Sequence, residues 1–149
     1  MWLLTTRNRP EMCREVLAAL HKTKVQTPGF VWMDGCNYLP LDLPDQWEYW
    51  ACDDHLNIGA IMRNFFAMYP DLPWYGWMAD DCVPLSVGWD MDLVMAAGRD
   101  GIAYPDDGWQ RGVKERDGSP HVTSIICFGG DFVRKCGFWV LPGQTQMFI

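Results

Sequence analysis

The chain has 149 residues, of which 49% are hydrophobic, 21% charged and 14% aromatic; that suits one globular domain with its own core and excludes a disordered chain. Twelve Lys and Arg against nineteen Asp and Glu leave a formal charge of -7. This acidity argues against nucleic acid as a partner, which demands a basic face, but not against a phosphate-bearing small molecule, for which a metal ion or a helix N-terminus can supply local positive potential.

Trp2 to Thr6 is a run of strand formers, broken at Arg7-Asn8-Arg9, and Pro10 suits the first turn of a helix carrying Met12, Val16, Leu17 and Leu20 at helical spacing. A second strand, residues 29–33, stops at Asp34-Gly35. Strand, helix, strand is the opening of an α/β unit with a parallel sheet. Residues 38–46 read as loop, and Trp47 to Cys52 as a third strand closed by Asp53-Asp54. Asn57 can cap a helix running to Tyr69, with Ile58, Met62, Phe65 and Tyr69 as its buried stripe; Pro70 stops it. Trp74 to Ala79 is almost wholly apolar, as a central strand is, and ends on Asp80-Asp81. A helix over 89–98 and a strand over 102–104 follow; His121 to Phe128 is strand-like, and Asp131 to Cys136 reads as one or two helical turns. The expected fold is a single α/β domain, Rossmann-like, with a mostly parallel central sheet flanked by helices.

The six cysteines contain no C-x-x-C pair and several sit in apolar runs, so neither zinc nor a disulfide framework is expected. Cysteines that pack reduced in apolar runs point to a reducing cytoplasm; no apolar stretch reaches the length of a membrane span, and Met1 to Leu4 is too short for a signal core. The nine tryptophans and nine methionines are mostly core.

Acidic residues recur where strands end: Asp34, Asp53-Asp54 and Asp80-Asp81. In an open α/β sheet ligands bind outside the carboxyl ends of the strands, so these acids converge on one rim. Carboxylates so gathered repel one another unless a cation sits between them, and hard oxygen ligands suit Mg²⁺ or Mn²⁺. The competing explanation for Asp34 and Asp53 is that strands simply end in polar turn residues.

The ordered series Thr5-Thr6-Arg7-Asn8-Arg9-Pro10, Trp32-Met33-Asp34-Gly35, Asn57-x-Gly59-x-x-x-Arg63-Asn64, Ala79-Asp80-Asp81 and Gly129-Gly130-Asp131 resembles glycosyltransferases of the GT-A fold, near the large family 2, over Trp2 to about Leu141. The resemblance implies a nucleotide-binding half over residues 1–81 and an acceptor-side half over 82–149, shorter than in other family members. It also implies that Thr5, Thr6 and Arg7 cradle a nucleotide, that Asp34 binds base or ribose, and that Asn57 and Arg63 line the donor's diphosphate and ribose. Asp80-Asp81 take the place of the family's D-x-D metal motif, with Asp81 the first choice as ligand to Mn²⁺ or Mg²⁺. The implied donor is a UDP- or GDP-sugar and the reaction a sugar transfer.

An acceptor hydroxyl is a poor nucleophile and needs a carboxylate base. Asp131 is the expected base, with an N-cap of the following helix as its structural alternative; direct displacement would invert the anomeric centre. Trp109 and Trp139 could flank an acceptor groove, and His55 and His121 are possible ligands. The aromatic C-terminal stretch suggests self-association. The rival readings are a non-catalytic nucleotide-sugar binding protein on the same fold and a sugar-nucleotide pyrophosphorylase, which Thr5 to Pro10 disfavours for want of glycine.

Overall fold

The computed structural model describes residues 1–35, 42–105 and 125–137. In chain order the elements are β1 (Trp2–Arg7), α1 (Pro10–Lys22), β2 (Gly29–Asp34), β3 (Trp47–Cys52), α2 (Ile58–Met68), β4 (Trp74–Ala79), α3 (Trp89–Ala97), β5 (Ile102–Ala103), β6 (Ile125–Gly129) and α4 (Gly130–Cys136). The first four strands fall at their predicted places. Helices α1 and α2 also start where the sequence places them, α1 with Pro10 in its first turn and α2 with the Asn57 side chain accepting from the Ala60 amide at 2.9 Å.

The six strands form one sheet in the order β3-β2-β1-β4-β6-β5. β1 to β4 are mutually parallel, whereas β6 runs antiparallel to both β4 and β5. The sheet is therefore mixed, and the expected parallel arrangement stops at β4. A strand's direction is set by the chain that delivers it, which the apolar pattern of residues 125–128 does not encode.

β1 is central because its side chains can be buried on both faces. Trp2 and Leu4 turn toward the layer that holds α1 and α3, with Cys13, Val16, Leu17, Leu20 and Leu93. Leu3 turns to the opposite layer, where Ile61, Met62 and Phe65 of α2 and Val133 of α4 pack. Helices thus cover both faces, as a largely parallel sheet requires. Most of the described tryptophans are core: the Trp2 ring lies 5.6 Å from that of Trp74 and 4.8 Å from that of Trp89. Gly76 makes room for this cluster, since a Cβ there would come 2.2 Å from the Trp2 ring. Asp90, fully buried, ties α3 to the turn before β2 by accepting from the Gln26 and Thr27 amides and the Thr27 hydroxyl at 2.8–2.9 Å. The five described cysteines are free. Among the described residues no helix is long and apolar enough to cross a membrane.

Candidate functional site

The strand order creates the site. From β1 the chain moves outward to β2 and β3, then returns to the other side of β1 to form β4. Between β1 and β4 the flanking segments diverge and leave a crevice beyond the carboxyl ends of the strands, where open α/β sheets bind ligands. A cavity of about 520 Å³ occupies this place, within the usual range for small-molecule sites.

Three separate stretches of sequence line it. The end of β1 and the turn after it give Thr5, Thr6, Arg7 and Arg9; the start of α2 gives Asn57, Ile58 and Ile61; the end of β4 gives Trp77, Asp80 and Asp81. The register explains the meeting, because Thr5 pairs with Ala79 and so puts Thr6 beside Asp80. The Thr6 hydroxyl donates to Asp80 Oδ2 at 2.7 Å, and Arg9 donates to Asp80 Oδ1 at 3.0 Å. Trp77 Nε1 donates to the Thr5 hydroxyl at 3.2 Å, fixing an indole in the cavity wall. Asp80 is only 5% exposed and both its oxygens are engaged. The Asp81 side chain is 50% exposed, 3.9 Å from Arg9.

Asp34 sits on the same rim but outside the cavity lining. It pairs with Arg7 at the end of the β1–β2 ladder and is fully buried. Its Oδ2 accepts from Arg7 Nε at 3.0 Å and also from Arg7 NH2, while Oδ1 accepts from the His55 amide at 2.9 Å. Arg7 NH2 also bonds the Leu56 carbonyl, so Asp34 anchors Arg7 and the turn leading into α2. β1 stands between the Asp34 strand and the Asp80 strand, which separates them by roughly 10 Å, two strand spacings. The two ends of the rim therefore carry separate arginine–carboxylate pairs, not three acids around one ion. Among the described residues no group of three or more His, Cys, Asp or Glu converges as a metal cage. Asp53 and His55 lie nearby, exposed and 3.5 Å apart.

Two expected participants are elsewhere. Arg63 is half-buried on α2 and is not among the described residues that line the cavity; its NH1 is buried with no hydrogen-bond partner among the described residues. Asp131, the expected base, belongs to the other end of the sheet. Because β6 is antiparallel to β4, Gly129 pairs with Trp74 at the start of β4, and α4 begins there. The length of β4, about 20 Å for six residues, separates that end from Asp80. There Asp131 accepts from Arg99 Nε at 2.7 Å and Arg134 NH2 at 2.6 Å. These guanidiniums hold its carboxyl down at about 2, which suits an ion pair and not a proton acceptor. Nor is it the N-cap of α4, a position held by Gly129; it clasps α4 to the α3–β5 turn through Arg99.

Sequence reasoning gave no role to Arg9 or Trp77. Arg9 immediately precedes Pro10 at the start of α1, which is the signal that places it on the rim. Trp77 alternates with Met78 along β4, and only the strand order shows that it faces the cavity. Trp109, Trp139 and His121 lie outside the described residues. Compared with models of protein families and with curated proteins, the chain matches none.

Proposed function

We propose that the chain binds a nucleotide-diphosphate sugar, of the UDP or GDP type, in the crevice between β1 and β4 and transfers the sugar to an acceptor hydroxyl, as a small glycosyltransferase domain of GT-A type. One observation carries this reading: Thr5, Thr6, Arg7, Asn57, Asp80 and Asp81, picked from three distant stretches of sequence, all line one cavity at the point where the strand order reverses.

Each group has work it can do there. The start of α2, whose Asn57 and Ile58 line the cavity, brings the helix's positive end to an anion there. Arg7, clamped by Asp34, and Arg9 bring two guanidiniums to a pocket on an otherwise acidic protein. Guanidinium forks match phosphate oxygens in pairs. The Trp77 indole offers an apolar wall. Asp81, with Asp80 beside it, would hold Mg²⁺ or Mn²⁺; such ions are usually held by one or two carboxylates plus substrate phosphate, so two acids are a sufficient protein donor set. When bound, the ion offsets charge growing on the diphosphate leaving group.

The placement of Asp131 favours keeping a second reading, a nucleotide-sugar binding protein without turnover. Among the described residues, the cavity lining contains no carboxylate other than Asp80 and Asp81 to act as a base. A thermal-shift screen of nucleotide sugars with and without Mn²⁺ tests the shared part, since a ligand that binds only the folded chain raises Tm by mass action. A metal-dependent shift that disappears in Asp81→Ala supports donor binding; equal affinity in the variant refutes it. Release of nucleoside diphosphate under the same conditions separates transferase from binder.

A further inference from the structure

Arg9 occupies the position a cation would be expected to take. Its guanidinium is 3.0 Å from Asp80 Oδ1 and 3.9 Å from Asp81 Oδ2. Asp80 cannot turn away to receive another partner, because its second oxygen is bound by Thr6 and the residue is buried. Arg9 differs from Arg7 in how it is held: both side chains are about half exposed, but Arg7 is fixed by both Asp34 and the Leu56 carbonyl, whereas the Arg9 guanidinium bonds Asp80 by one nitrogen.

We infer that Arg9 is a built-in competitor for the divalent ion, one that makes metal binding conditional on the diphosphate of the donor. The inference rests on the nucleotide-diphosphate reading above. A divalent ion bound to these carboxylates puts two positive charges within a few ångströms of the guanidinium, and like charges so placed disfavour each other strongly. With no anion present, the ion must first displace Arg9 from Asp80. A diphosphate reverses this: it offers the guanidinium a paired acceptor, draws it off Asp80 and brings negative charge between the two cations. Arg9 then favours the ion it previously opposed. By reciprocity the ion tightens nucleotide binding by the same factor. The result is a crevice that takes up metal and donor together and holds neither firmly alone.

The test is a titration with Mn²⁺ followed by the electron paramagnetic resonance of the free ion. It is run on the full chain alone and with UDP or GDP, after subtraction of the Mn²⁺–nucleotide complex that forms without protein. The unaltered chain should bind Mn²⁺ about tenfold more tightly when nucleotide is present, a typical size for coupled sites. Arg9→Gln should bind Mn²⁺ alone about tenfold more tightly than the unaltered chain, and its further gain with nucleotide should be smaller than that of the unaltered chain, because only the direct phosphate–ion contact is left to couple the two. Arg9→Lys, which keeps the charge, should restore the weak binding. If Arg9→Gln binds Mn²⁺ alone no more tightly while Asp81→Asn loses binding, the competitor role falls and the donor reading stands. Should Arg9→Gln fail to fold, the same Mn²⁺ affinity with and without nucleotide in the unaltered chain overturns the inference. Absence of Mn²⁺ binding by every form, with and without nucleotide, removes both.

Discussion

Replacing each of the two adjacent acids by asparagine separates a structural carboxylate from an available one. Asp80 is 5% exposed and accepts from both the Thr6 hydroxyl and the Arg9 guanidinium. In Asp80→Asn the amide oxygen can still receive Arg9, and the Thr6 hydroxyl can turn to accept from the new NH₂, so the hydrogen-bond count survives and the charge does not. Hydrogen bonds to charged groups are worth about 1.5–3 kcal/mol. Arg9 is half exposed and can recover water, which puts the expected loss near the lower end, about 2 kcal/mol. For a chain of this size that lowers Tm by roughly 4–8 °C. The Asp81 side chain is 50% exposed, with Arg9 at 3.9 Å, so Asp81→Asn should stay within about 0.5 kcal/mol of the unaltered protein. Urea unfolding followed by circular dichroism measures both, with the slope checked for constancy. Equal losses in the two variants, or none in Asp80→Asn, would refute the division of labour drawn from the geometry.

Asp131→Asn should leave nucleotide affinity unchanged, because the residue lies at the far end of the sheet from the cavity, and should loosen α4; calorimetry with UDP or GDP and hydrogen exchange of residues 130–136 check the two halves. The same carboxyl sets a pH dependence. Arg99 and then Arg134 depress it to about 2 in the folded chain, so its contribution is complete above the unfolded value of about 4 and vanishes as pH falls through about 2. An acid unfolding curve of Asp131→Asn should therefore lose that part of its steepness in this window. Gly76→Ala drives a methyl to within 2.2 Å of the Trp2 ring unless the indole moves. It should destabilise by about 1–3 kcal/mol, as overpacking does, and shift the tryptophan fluorescence of the folded state.

Much of this molecule was legible in the sequence, and the reason is locality. The apolar runs of β1, β2 and β4, the helical spacing after Pro10 and the Asn57 cap are properties of near neighbours, and so are the polar stops at Asp34 and Asp80. These fixed the elements and put Thr5, Thr6, Arg7, Asn57, Asp80 and Asp81 at their ends, where the cavity later gathers them. What lay beyond reach depended on which strand pairs with which. Placing β1 between β2 and β4 is decided by long-range pairing, and that placement opens the crevice and turns Trp77 toward it. The reversed direction of β6 is equally non-local, yet it carries Asp131 from the expected site to the opposite end of the sheet. Residue type announced the carboxylates of Asp34 and Asp80; only the register, bringing Arg7 against one and Thr6 and Arg9 against the other, decided that both are already bound to partners of their own.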